Sequence, residues 1–126
     1  AKNWALWQAQ CSSLHPCSTT IEEYSEPHFA LSLATLQSHY IQHHYFIDDN
    51  QILDNTHLIR HLTAYFIHGR YDMIYPLAGA WDLHQLMPTS SLSIIREAGH
   101  SNKEAGIVDA IIGAGKLLSQ QALDAS

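Results

Sequence analysis

Two residues stand out by type and by place. Asp72 follows Gly69-Arg70-Tyr71, and His100 sits in Ala98-Gly99-His100-Ser101. Each falls just past a run with strand character. In open parallel sheets, functional groups gather beyond the C-terminal ends of strands. An Asp on one such loop and a His on the next can meet above the sheet. The carboxylate then orients the imidazole and stabilises its cation, while the imidazole acts as a general base. Taken singly, Asp72 suits a turn, and His100 suits a helix entry or a surface. Their joint placement on two loops of one βαβ unit carries the reading.

The elements that position these loops follow from pattern. Residues 62–68 form a continuous, mostly apolar run ending at Gly69, which reads as a strand buried on both faces. Residues 70–76 read as a loop and 77–87 as a helix, with Ala80, Leu83 and Leu86 on one side and Pro88 ending it. Residues 91–96 give a second strand and 98–101 a turn. A last helix is predicted over 103–121, with Ile107, Ile111 and Leu118 toward the core. Strand, helix, strand, helix implies an α/β class. Residues 1–60 read differently. A short amphipathic helix is expected over 1–10, a polar loop over 11–27 and a helix over 28–46. Asn50 or Asp54 is expected to cap a further short helix to about residue 61.

Other signals point elsewhere and carry less. His39 and His43, like His57 and His61, lie four residues apart, on one helical face. Neither pair has the Glu of His-Glu-x-x-His or an evident third ligand, so no metal and no cofactor is expected. Gly113-Ala114-Gly115-Lys116 lacks the earlier glycine of a phosphate loop, and Leu117 replaces its Ser or Thr. Cys11 and Cys17 are expected as free thiols in a reducing cytosol, with a local disulfide as the alternative. The formal charge of −6, with six Lys and Arg, argues against nucleic acid as partner. Apolar runs fall short of the roughly 20 residues of a membrane span, so no membrane is expected. No secretory signal is visible at the start, and a cytoplasmic location is expected. The first residue is Ala1 rather than Met, consistent with a removed initiator or a longer chain.

The stretch Ile67-His68-Gly69-Arg70-Tyr71-Asp72-Met73-Ile74-Tyr75-Pro76 resembles the surroundings of the catalytic Asp in proline iminopeptidases. Ala80-Trp81-Asp82-Leu83 with Pro88 resembles the helix that follows. Ala98-Gly99-His100-Ser101 is similar to the stretch around the family's catalytic His. Trp4-Ala5-Leu6-Trp7 and His44-Tyr45-Phe46 resemble two signatures of its helical cap. The resemblance implies the C-terminal portion of an α/β-hydrolase: a partial parallel sheet with flanking helices (61–126), preceded by a helical cap segment (1–60). It implies a serine aminopeptidase acting on peptides with N-terminal proline, with Asp72 and His100 as two triad members in the order Ser, Asp, His. No Gly-x-Ser-x-Gly occurs in the chain, so the nucleophile is expected to be missing and the chain alone inactive.

The family's two amine-binding Glu positions fall by motif on Gln8 and Gln42, with Trp7 and Tyr45 beside them as pocket residues. Gln supplies no charge, and charge-assisted hydrogen bonds are roughly twice as strong as neutral ones. Losing both charges is expected to weaken selection for an N-terminal amine, with a changed substrate, lost activity, or compensation by Glu22, Glu23 or Glu26 as the alternatives; those three Glu also read as a solvated acidic loop. The open edge of the first strand invites a partner. That partner is either the missing N-terminal half or a second copy. A catalytically inactive remnant acting through interactions is the alternative function.

Overall fold

A computed structural model describes residues 1–124. Its order is α1 (Lys2–Ser12), α2 (Ser18–Ser25), α3 (Pro27–Gln42), α4 (Gln51–Asp54), β1 (Ala64–Gly69), α5 (Leu77–Leu86), β2 (Ser90–Ile95) and α6 (Ala105–Asp124). Short 3₁₀ turns flank α4 at His44–Phe46 and Thr56–Leu58. The strands pair in parallel, from Ala64 opposite Ser90 to Gly69 opposite Ile95. Helices α5 and α6 pack on this sheet, giving the expected α/β class with a partial parallel sheet. Helices α1, α2 and α3 pack on one another.

Small residues make the helical contacts close. Ala5 and Ala9 lie four apart on one face of α1, and both are buried, as is Ala30 of α3. Helix α3 begins where Pro27 takes the first helical position and the Glu26 carboxylate accepts from the Phe29 amide at 2.7 Å. Pro76 likewise precedes α5.

Several expectations need correction. The stretch over 11–27 is not all loop: Ser18–Ser25 is helical. The helix over 28–46 stops at Gln42, and the backbone then turns left-handed, with φ of 49°, 56° and 60° at His44, Tyr45 and Phe46. Asn50 makes no side-chain cap for α4. The Gln51 side chain instead accepts from the Asp48 amide at 2.8 Å. β1 is half-buried along most of its length rather than buried on both faces. A two-stranded sheet covers only part of each flanking helix, which explains the next departure. Ile107 is buried, but Ile111 is 48% and Leu118 42% exposed. Cys11 and Cys17 are free thiols.

Candidate active site

Gly69 ends β1 at a point where no side chain fits. A Cβ there would lie 1.9 Å from the Gly99 carbonyl oxygen and 2.7 Å from that of Ala98. The two post-strand loops therefore touch backbone to backbone. Hydrogen bonds stitch them: the Arg70 amide donates to Ile95 O at 2.9 Å and the Tyr71 amide to Ala98 O at 3.0 Å. This contact brings Asp72 and His100 together across 28 residues of sequence.

Each oxygen of Asp72 has a task. Oδ1 accepts from the amides of Ile74 and Tyr75, both at 2.9 Å. Oδ2 accepts from His100 Nδ1 at 2.9 Å, with His68 Nε2 at 3.8 Å. The Asp72 side chain is 6% exposed and that of His100 37%. Desolvation is the largest single influence on the Asp72 carboxyl and pulls its pKa up. The Tyr75 amide, His100 and the Ile74 amide together outweigh it and hold the group below its ordinary value. An ionised Asp72 requires the proton on His100 Nδ1. Nε2 is then the atom with a free lone pair, on an imidazole that solvent can reach.

The His100 loop is also tied to the helices. Glu104 Oε2 accepts from the Gly99 amide at 2.7 Å, and Oε1 from the Leu14 amide at 2.9 Å. The Ser101 amide donates to Ser12 O at 2.6 Å. The end of α1 is thus clamped beside the imidazole.

Between them lies a cavity of about 180 Å³, with His100, Tyr75 and Ile74 on one side and Gln8, Ser12, Tyr24, Leu33 and Gln37 on the other. Tyr75 stands with its ring 5.3 Å from the His100 ring. Its phenol pKa is pushed up, first by desolvation and then by the Tyr45 hydroxyl beside it.

The expected site residues thus separate. Asp72 and His100 meet, Gln8 lines the same cavity, and Tyr45 reaches it through Tyr75. Trp7 packs on Trp4 with ring centroids 5.4 Å apart, half exposed and outside the cavity lining. Gln42 is exposed on the last turn of α3, also outside that lining. The second glutamine of the cavity is Gln37, which donates to Gln8 Oε1 at 3.1 Å. Leu33 and Gln37 lie four apart on α3, so helical periodicity could have pointed to it. Glu104 had a weaker signal. Ser101-Asn102-Lys103-Glu104 has capping-box spacing, but the carboxylate reaches Gly99 and Leu14 instead. None of Glu22, Glu23 and Glu26 lines the cavity. Glu26 caps α3, and Glu23 pairs with Lys103 at 3.1 Å. Among the described residues no group of three or more side chains could hold a metal ion. His39 and His43 pack as rings 4.6 Å apart. No helix among them is long and apolar enough to cross a membrane.

A parallel sheet flanked by helices, with an Asp and then a His past the ends of successive strands, matches the C-terminal portion of the α/β-hydrolase class. No protein-family model matches the chain. It is 38% identical over 113 residues to a proline iminopeptidase of Xylella fastidiosa, covering 89% of this chain and 36% of that protein. It is 36% identical over 115 residues to a probable proline iminopeptidase of Leptolyngbya boryana, covering 90% and 36%. It is 35% identical over 108 residues to a proline iminopeptidase of Arabidopsis thaliana, covering 85% and 28%. The chain is a relative of the proline iminopeptidases, similar over most of its own length. It spans about a third of the length of these curated relatives.

Proposed function

We propose that this chain is the C-terminal part of a cytoplasmic serine aminopeptidase of the proline iminopeptidase type, with residues 1–60 as cap and 61–126 as the end of the core. The observation that carries the reading is the Asp72–His100 hydrogen bond at 2.9 Å, on paired loops of a parallel sheet. In the complete enzyme Asp72 orients His100. His100 Nε2 takes a proton from a serine supplied by sequence outside these 126 residues, then returns it to the leaving amine. Residues outside the chain also supply the oxyanion hole. The peptide's N-terminal residue occupies the cavity beside Gln8 and Gln37, with Tyr45 behind Tyr75, while Gln42 and Trp7 stand outside its lining.

The isolated chain is expected to give no turnover of a prolyl-arylamide, because no serine follows a strand within a glycine elbow. Joining it to an in-frame upstream region encoding Gly-x-Ser-x-Gly is expected to give turnover that Asp72→Asn lowers by about four orders of magnitude. Turnover by the pure 126-residue chain would sink this reading. So would a joined protein indifferent to Asp72→Asn.

A second reading is favoured by one observation: Ile111 and Leu118, which share one face of α6, are about half uncovered. A non-catalytic remnant would use that face, or the open edge of β1, to bind a partner chain or a second copy. A cooperative, soluble monomer by size-exclusion chromatography and thermal melting would count against it.

A further inference from the structure

The cavity's polar groups are fixed by a relay that begins at an indole. Trp4 Nε1 can only donate, and it donates to the Gln37 side chain, so the atom it meets is the oxygen Oε1. The Gln37 amide nitrogen must then be the atom that faces Gln8, where it donates at 3.1 Å. The Gln8 atom receiving it must therefore be Oε1. That assignment leaves Gln8 Nε2, with two N–H groups and no acceptor among the described residues. Gln8 is only 8% exposed, yet among the described residues no fully occluded side-chain nitrogen or oxygen lacks a partner. Nε2 is therefore reached from the cavity that Gln8 lines. No Asp, Glu, Lys or Arg lines that cavity. Asp72 stands behind His100, with both oxygens already accepting.

A free ammonium seated there would meet an N–H donor and no carboxylate. Burying an unpaired charge is costly, and a donor facing a donor adds repulsion. A carbonyl oxygen meets the opposite situation, because it accepts from Gln8 N–H groups that no protein acceptor among the described residues engages. We propose that the cavity between Gln8 and His100 takes a neutral, carbonyl-bearing N-terminal cap, an N-acyl or lactam group, in preference to a free amine. This rests on the peptidase reading only for the peptide nature of the ligand. The donor relay stands without it.

The test is binding to the 126-residue chain, followed by side-chain amide NMR of ¹⁵N-labelled protein. N-acetyl-L-prolinamide is expected to shift the Gln8 Nε2 resonances and to bind at least about tenfold more tightly than L-prolinamide. Gln8→Glu is expected to reverse the order. Gln8→Met keeps the length, removes the N–H groups and should lose the acetylated ligand. It serves as the second variant if Gln8→Glu does not fold. Equal or tighter binding of L-prolinamide by the unaltered chain overturns the proposal, and so does absence of a Gln8 response to either ligand. Failure of the peptidase reading looks different: acyl-selective binding with no turnover after the upstream region is joined.

Discussion

The two walls of the cavity are held by different means. On the sheet side, Asp72 is fixed by two backbone amides and one imidazole, and its loop by the contact of Gly69 with Ala98 and Gly99. On the helical side, Gln8 is fixed by a chain of side chains, from Trp4 through Gln37. Backbone-held groups survive most substitutions around them, because every residue but proline brings the same amide. Side-chain-held groups change character when one member changes. The geometry of the Asp72–His100 pair and the polarity of the facing wall are therefore separable. The first belongs to the path of the chain, and the second to a few replaceable residues.

The largest effect should come from breaking the backbone contact itself. Gly69→Ala places a Cβ inside the Gly99 carbonyl, and neither backbone can yield without moving the loop that carries Asp72 or the one that carries His100. Chemical denaturation is expected to show a loss of about 3 kcal/mol or more, or an unfolded product. Wild-type stability in that variant would mean the loops are not in contact. Glu104→Ala comes next. It removes the acceptor from two amides, Gly99 and Leu14, at the junction of the walls. A loss of about 2 kcal/mol is expected, with faster hydrogen exchange at both amides. Unchanged exchange there would uncouple the two walls. Trp4→Phe should be the mildest. It frees Gln37 to rotate and leaves the fold intact, so only the preference for an acylated ligand should fall, by about fivefold. A loss of stability similar to that of Glu104→Ala would show that the helical wall is not the independent unit described above.

Legibility in the sequence follows the same division. The strands could be read because Tyr65, Phe66 and Ile67 form a run closed by Gly69, and Leu92, Ile94 and Ile95 recur after Pro88. Gly and Pro punctuate this half. From those loops the meeting of Asp72 with His100 followed. The helical half gave weaker signals. Ser18–Ser25 offers only Ile21 and Tyr24 as large apolar residues, and its helix is settled by packing on α1 and α3. Gln37 was passed over in favour of Gln42 because a motif marks linear position, whereas the cavity selects the face of α3 shared with Leu33. Glu104 carries little signal in the sequence because its partners are backbone amides, which every residue type but proline provides. The exposure of Ile111 and Leu118 was beyond pattern reading, since periodicity shows which face is apolar but not what covers it.

The turn after α3 stores strain. His44, Tyr45 and Phe46 are three consecutive residues at positive φ, none of them glycine, and left-handed backbone costs roughly 1–2 kcal/mol per residue. Tyr45 at its centre stands beside Tyr75, which in turn stands against His100. The stacking of Phe46 on His43 and its contact with His39 offset part of that cost, as does the contact of Tyr45 with Tyr40. Backbone strain is thus concentrated one residue away from the cavity wall, while the Asp72–His100 pair is held by separate amides.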